Sequence, residues 1–245
     1  MRAMILAAGL GTRLRPLSND RPKALVEVAG RTLLEITLRR LAWFGIREVI
    51  VNAHHFADLI IEYLRKNDNL GMRIEVSRED VLLDTGGGLK KAAWFFEDDD
   101  ESFILHNVDV ISSIDLREML QFHSDRHALA TLAMQDRETS RYLLFDDHNR
   151  LCGRRKGREG VLEMARPAEE VKALAFSGIH VIARRMLPLM QEEGVFSIID
   201  SYLRLTAAGE NVSAFRADRY YWRDLGKPEN VVQAERDVER EIVHL

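Results

Sequence analysis

One cysteine, Cys152, occurs in 245 residues, which excludes an intramolecular disulfide and any thiolate zinc cluster and points to a reducing, cytoplasmic setting. Charge of one sign is not in excess either: 35 Lys and Arg face 39 Asp and Glu, a formal net charge of −4. That balance supplies no general field for nucleic acid or an anionic membrane, so an anionic ligand has to be held by locally placed cations. Long apolar runs are missing as well. The opening Met1 to Ala8 stretch is interrupted at Gly9 and followed by Thr12-Arg13-Leu14-Arg15, far short of the roughly 20 apolar residues that span a bilayer. It reads as a buried first strand. Repeats, linkers and low-complexity tracts do not occur. What is present is 46% hydrophobic residues, in a chain long enough to remove roughly 70–75% of its unfolded surface from water. One α/β domain covering 1–245 is the expectation.

Strand-like and helix-like segments alternate from the start, the pattern of a doubly wound, mostly parallel sheet covered by helices. Ala3 to Ala8 reads as a strand. Arg31 to Phe44 reads as a helix with Leu34, Leu38 and Leu41 on its buried stripe, Glu35, Arg39 and Arg40 outside it, and Gly45 as its terminator. Strands are expected at Glu48 to Ala53 and Met72 to Val76, around a helix from Phe56 to Lys66. A third round runs through Gly86 to Gly88, a helix to about Phe96, an acidic loop over 97–101, and the strand Ser102 to Leu105 that delivers Asn107 and Asp109. A helix from Leu116 to His123 follows. From about 128 to 195 the texture is strand-rich, with strands at Ala128 to Met134, Tyr142 to Phe145 and Leu174 to Ile182 and a polar stretch from Asp146 to Glu170; this part is expected to be an inserted small lobe. The chain closes with a helix from Ser197 to Ala208, a strand from Val212 to Arg216, the tripeptide Trp222-Arg223-Asp224 and a helix from Pro228 to Glu241.

The segment Leu6-Ala-Ala-Gly-Leu-Gly-Thr-Arg-Leu-Arg-Pro-Leu-Ser-Asn-Asp-Arg-Pro-Lys23 begins where the first strand ends, the place at which open α/β sheets bind ligands. Gly9 and Gly11 allow a tight turn and close approach of backbone N–H groups to a phosphate, and Arg13 and Lys23 add positive charge. The Walker A spacing is missing, and Leu14 stands where a dinucleotide fingerprint needs its third glycine, which disfavours a dinucleotide-dependent oxidoreductase.

The whole eighteen-residue stretch resembles the signature of the sugar-1-phosphate nucleotidyltransferases, the NDP-sugar pyrophosphorylases, through Gly9, Gly11, Thr12, Arg13, Pro16, Pro22 and Lys23. Later segments follow the family's order. Asp84-Thr85-Gly86-Gly87-Gly88 resembles its second loop, Asn107-Val108-Asp109 its metal-binding strand end, Phe176-Ser177-Gly178-Ile179 its sugar-contacting turn, and Trp222-Arg223-Asp224-Leu225-Gly226 its second metal-binding segment. The hexapeptide repeats of bifunctional relatives are not found.

The resemblance implies nucleotidyl transfer from an NTP to a sugar 1-phosphate, with Mg²⁺ as cofactor. It implies nucleotide contacts from Ala7, Ala8, Gly9, Gly11, Thr12, Arg13, Asp84, Gly86 and Gly87. Sugar-phosphate contacts are implied for Lys23, Asn107, Gly178 and Arg166, metal ligation for Asp109 and Asp224, and catalytic roles for Arg13, Lys23 and Asp109. Arg166 enters because the family's Glu-Lys-Pro segment survives only as Glu163-Met-Ala-Arg166-Pro167; the basic group Arg154, Arg155 and Lys156 is the alternative. Val108 departs from the small residue usual at the centre of its tripeptide. Among family members the likeness is greatest to uridylyltransferases acting on N-acetylmuramate 1-phosphate, followed by mannose or heptose 1-phosphate guanylyltransferases. A non-catalytic nucleotide-sugar sensor is the competing class. Neither nucleic acid nor membrane is an expected partner, and a homo-oligomer is left open.

Other polar and aromatic clusters have plain structural readings. His54-His55 is expected at a helix start, Asp98-Asp99-Asp100 in a solvated loop, and Trp94, Phe95 and Phe96 in the core.

Overall fold

The computed structural model describes residues 1–97, 102–157 and 159–245; the acidic run Asp98 to Asp100 lies outside them. The chain runs through β1 (Arg2–Leu6), a short hairpin of β2 (Glu27–Val28) and β3 (Arg31–Thr32), α1 (Leu33–Trp43), β4 (Glu48–Ala53), α2 (Ala57–Lys66), β5 (Arg73–Arg78), α3 (Asp84–Lys91), β6 (Phe103–Asn107), β7 (Val110–Ser112) and α4 (Leu116–Asp125). There follow β8 (Ala130–Gln135), β9 (Arg141–Phe145), β10 (Leu151–Lys156), β11 (Leu162–Met164), β12 (Lys172–Ile182), α5 (Ile198–Ala207), β13 (Val212–Arg216), β14 (Trp222–Asp224) and α6 (Pro228–Glu239).

The strands β5, β4, β1 and β6 are parallel, and β1, buried on both faces, is apolar from Ala3 to Leu6. Continuous apolar character is what a strand covered on two sides requires. All antiparallel ladders of the large sheet involve strands from the 128–195 region, and β12 joins the two parts by pairing with β6 through Ile179 to Ile182 and with β9 through Lys172 to Ala175. Its other edge carries β8, which pairs in parallel with β13. The fold is thus α/β with parallel central strands, and the lobe continues the main sheet. The polar stretch from Asp146 to Glu170 is not structureless: it contains β10 and β11. Alternating charge and Gly153 obscure these strands, but each has a partner ladder.

Local rules account for most element ends. Thr32 caps α1 by accepting from the Glu35 amide at 3.1 Å, and Gly45 at φ 83° follows its last turn; a left-handed residue there favours glycine. Arg40 is a correction. It is half-buried, donates to the Ile114 carbonyl, and is lowered to about 10 by burial. Phe95 and Phe96 enter the core as expected, with Phe96 stacked on Phe103 at 4.0 Å, whereas Trp94 is 51% exposed. His54 precedes α2: its ring bonds the Glu79 carbonyl at 2.7 Å and its carbonyl accepts from the Ala57 amide.

Candidate active site

The C-terminal ends of β1, β4 and β6 open onto a cavity of about 500 Å³ lined by Leu6, Ala8, Gly9, Arg13, Lys23, Asn52, Leu82, Asp84, Thr85, Asn107, Asp109, Val195 and Asp224. Six residues singled out from the sequence as charged or polar site candidates, Arg13, Lys23, Asp84, Asn107, Asp109 and Asp224, therefore face one space. They are separated by up to 211 positions in the chain, and only the crossover topology brings them together.

Lys23 reaches this space by running beneath the glycine loop. A Cβ on Gly9 would sit 3.2 Å from the Lys23 Cε and Nζ, and one on Gly11 would sit 3.1 Å from its Cβ. Gly11 also holds φ 64°, and its carbonyl accepts from the Ser18 hydroxyl at 2.7 Å. The glycines thus make room for the lysine stem as well as for the turn. Lys23 Nζ donates to Asp109 Oδ2 at 3.0 Å, both side chains being largely shielded from solvent. Burial opposes ionisation of Asp109, but the Lys23 ammonium, with help from Arg13, outweighs it and holds the carboxyl below its ordinary range. Asp109 is a carboxylate at neutral pH.

Asp224 comes to Asp109 through backbone pairing. β14 lies antiparallel to β7 with Asp224 opposite Val110, and the Leu225 amide donates to the Asp109 carbonyl at 2.7 Å. The Asp224 carboxylate accepts from the Gly226 amide at 2.6 Å. A Cβ on Gly226 would lie 2.7 Å from Asp224 Oδ1 and 2.8 Å from Arg13 Nη2, so Arg13 stands on the same side of the cavity. Among the described residues no carboxylate lies within ion-pair distance of Arg13, and no group of three His, Cys, Asp or Glu side chains is gathered for a metal. Two carboxylates with open space between cations is a donor set suited to a hard cation that takes its remaining ligands from water and phosphate.

Asn52 is a site residue that the sequence reading missed. It is buried, its Oδ1 accepts from the Ala7 and Ala8 amides at 2.7 and 3.3 Å, and its Nδ2 donates to Glu79 at 2.7 Å. The amides of Ala7 and Ala8 are therefore already satisfied within the protein. A polar side chain at the end of the otherwise apolar Val49-Ile50-Val51 run was the available signal.

The triple glycine is likewise not a loop. Gly86 to Gly88 lie within α3, and the Gly86 and Gly87 amides donate to the Phe196 carbonyl at 3.0 and 3.3 Å. Added Cβ atoms would strike the Phe196 ring at 2.3 Å from Gly86, the Gly194 carbonyl at 2.4 Å from Gly87, and Asn52 and Glu79 at 2.8 Å from Gly88. These glycines permit close packing of α3 on two neighbours, and their amides are not turned to the cavity as a base-reading loop would need.

On the remaining side, β12 bulges between Phe176 and His180, and Gly178 at φ 77° lies so near Asn107 that a Cβ would be 3.0 Å from its Nδ2. Arg166 is not brought here. Its guanidinium pairs with Asp146 and donates to the Leu151 carbonyl at 2.9 Å, because the Ala165 and Arg166 amides fasten this segment to Cys152 at the far edge of the sheet. Arg154 is bound to Glu163 and Asp200, each at 2.6 Å.

Comparison with known proteins identifies the family. The nucleotidyl transferase family profile matches residues 2–241. The chain is 34% identical over 243 residues to the N-acetylmuramate alpha-1-phosphate uridylyltransferase of Caulobacter vibrioides, covering 95% of each chain. It is 29% identical to the mannose-1-phosphate guanylyltransferase of Mycobacterium tuberculosis over 98% of this chain and 65% of that one. The crystal structure of HddC from Yersinia pseudotuberculosis with GMP-PN superposes with a TM-score of 0.76 at 24% identity, covering 97% and 99% of the two chains, which supports the fold. No helix among the described residues is long and apolar enough to cross a membrane. With a profile match over nearly its whole length, the chain belongs to the nucleotidyl transferase family and is an enzyme of sugar-1-phosphate nucleotidyl transfer.

Proposed function

We propose that this enzyme transfers a uridylyl group from UTP to an amino-sugar 1-phosphate such as N-acetylmuramate 1-phosphate, releasing pyrophosphate. The observation that carries the transfer chemistry is the meeting of two carboxylates, Asp109 and Asp224, with two cations, Arg13 and Lys23, around one cavity. Near-equal length and 34% identity with the Caulobacter uridylyltransferase support the choice of substrates.

An oxygen of the sugar phosphate attacks the α-phosphorus of the NTP. A new P–O bond forms, the bond from the α-phosphorus to the β-bridging oxygen breaks, and its electron pair leaves with pyrophosphate. The attacking oxygen is already ionised, so no general base is needed. Two polyanions have to approach one another, and this chain lowers that repulsion with cations at fixed positions. Arg13, which pairs with no carboxylate among the described residues, grips the β and γ oxygens through its planar fork. Lys23, anchored through Asp109, places a point charge where the α-phosphate and the incoming sugar phosphate meet. Asp109 and Asp224 are the residues to hold Mg²⁺, which supplies Lewis-acid stabilisation of phosphate charge when bound. Gly9, Gly11, Thr12 and Asp84 border the triphosphate and nucleoside, and Asn107 and Gly178 the sugar.

Guanylyl transfer to mannose or heptose 1-phosphate is the second reading, favoured by the resemblance to the mycobacterial guanylyltransferase. Pyrophosphate release from four NTPs crossed with N-acetylmuramate, N-acetylglucosamine, glucose, mannose and heptose 1-phosphates tests both. UTP with an amino-sugar 1-phosphate is expected to give the highest kcat/KM by a large ratio, because a site built to hydrogen-bond one base leaves groups unpaired with another. Dominance of GTP with mannose or heptose 1-phosphate overturns the uridylyl choice, and no turnover with any pair returns the sensor class.

A further inference from the structure

We propose that Arg137 takes the place of the family's Glu-Lys-Pro lysine and binds the phosphate of the sugar 1-phosphate. This assignment rests on the transferase reading and names a residue that the reading lacks. Arg166, expected in that role, is tied to Asp146, and Arg154 is shared between Glu163 and Asp200. Arg155 lies over the Tyr142 ring and donates to the Gly157 carbonyl at 3.1 Å.

Arg137 differs from Arg166 and Arg154 in pairing with no carboxylate among the described residues, and from Arg155 in lying against β14 instead of on β10 near the sheet edge. It leaves β8 two residues past its last pair, and its guanidinium carbon lies 3.7 Å from the centre of the Trp222 ring. One nitrogen, Nη2, donates to the Phe176 carbonyl at 2.6 Å, while Nε is buried without a partner. Among the described residues no carboxylate is within ion-pair distance of it. The platform beneath it is itself fixed, since the Trp222 indole N–H donates to the Ser177 carbonyl at 2.7 Å.

The direction of β14 relates this group to the transfer site. Alternate residues of a strand share a face, so Trp222 and Asp224 point one way and Arg223 the other, where it meets Tyr221 and Asp237. Trp222, the ring against which Arg137 lies, therefore stands one strand repeat, about 7 Å, along the same face from Asp224. Burial disfavours its charge and the Asp224 carboxylate supports it. The carbonyls that hold Arg137 and Trp222 belong to Phe176 and Ser177, and the next residue, Gly178, packs against Asn107. A guanidinium held over an indole and by a backbone carbonyl is fixed in place, and its planar fork matches the oxygens of a phosphate monoester. A lysine cannot supply two parallel donors from that position.

Steady-state pyrophosphate release, with the NTP and sugar 1-phosphate that the wild-type enzyme turns over best, tests the assignment through Arg137→Lys and Arg137→Met. The expected result is a KM for the sugar 1-phosphate raised about 10-fold or more by Lys and further by Met, with the KM for the NTP within about twofold of wild type. An unchanged sugar-phosphate KM in both variants overturns the proposal, as does an equal rise in both KM values, which marks general damage to the site. If the Met variant does not fold, the Lys variant, which keeps the stem and the charge, decides on the same split. Wild-type protein inactive with every pair overturns the transferase reading itself and this assignment with it, an outcome distinct from a variant that behaves like the wild type.

Discussion

The two walls of the cavity are built on opposite principles. On the wall formed by the ends of β1 and β4 and by α3, backbone amides are consumed inside the protein: Ala7 and Ala8 give theirs to Asn52, and Gly86 and Gly87 to Phe196. Charge there comes from side chains on one loop. Lys23 is paired with a carboxylate, and Arg13 with none among the described residues. On the side of β7, β12 and β14, from which Asp224 reaches the cavity, antiparallel strands bring together an aspartate, an indole, a tight turn and an arginine. The first side satisfies its backbone amides within the protein and keeps the Arg13 guanidinium for charge, and the second keeps the partnerless Nε of Arg137.

The sharpest way to break this contrast is to neutralise Asp109. Asp109→Asn removes the carboxylate proposed to hold Mg²⁺ and the anchor of Lys23, so turnover should fall by about 1000-fold or more, beyond the effect of one preorganised donor; activity of the wild type should vanish in chelator and return with Mg²⁺. Near-normal pyrophosphate release by the variant at saturating Mg²⁺ would remove Asp109 from the site. Next in size are the two cations. Losing a charge-assisted contact that strengthens in the transition state costs about 2–4 kcal/mol, or 30-fold to 1000-fold in rate. Arg13→Ala should therefore depress kcat, while Lys23→Ala should in addition raise the KM for sugar phosphate, a separation read directly from steady-state kinetics.

Acid should strain the seam between the two walls. His106 on β6 and His180 on β12 lie on adjacent paired strands, and burial holds their pKa values at about 4 and about 3. Against an unfolded value of 6.5, the unfolded chain takes up protons first as pH falls. Stability is therefore full above about pH 6.5 and declines toward pH 4, on the order of 2 kcal/mol per ring at pH 5. For a domain of this size each kcal/mol moves Tm by about 2–4 °C, so calorimetry at pH 7 and pH 5 should show a clear drop; a flat profile would refute the linkage. The smallest effect on activity is expected at Arg166. Arg166→Ala breaks the pair with the nearly buried Asp146 and should lower Tm while leaving the sugar-phosphate KM near wild type, in contrast with Arg137→Lys.

Legibility followed sequence distance. The glycine loop, Lys23, Asn107-Val108-Asp109 and Trp222-Arg223-Asp224 were visible because each is a contiguous motif at the end of a periodic element. Asn52, Arg137 and Phe196 were not, since a lone polar residue in an apolar strand or a lone arginine after one has no pattern of its own. Arg166 illustrates the same limit from the other side: its neighbours fit a family segment, yet amides bound to Cys152 keep it at the sheet edge. The acidic run Asp98 to Asp100 lies outside the described residues.

By itself the sequence determined the α/β class, the order of nearly all elements and which charged side chains stand as candidates at the strand ends, because hydrophobic period and side-chain ionisation are local properties. Tertiary structure alone decided which cations are free and which are neutralised. That outcome depends on strand register, which sets Asp224 beside Asp109 and Trp222 beneath Arg137, and on close contacts around Gly86 to Gly88 that turn an apparent ligand loop into a packed helix. Charges act through distance, and distance between residues far apart in the chain is fixed only when the sheet forms.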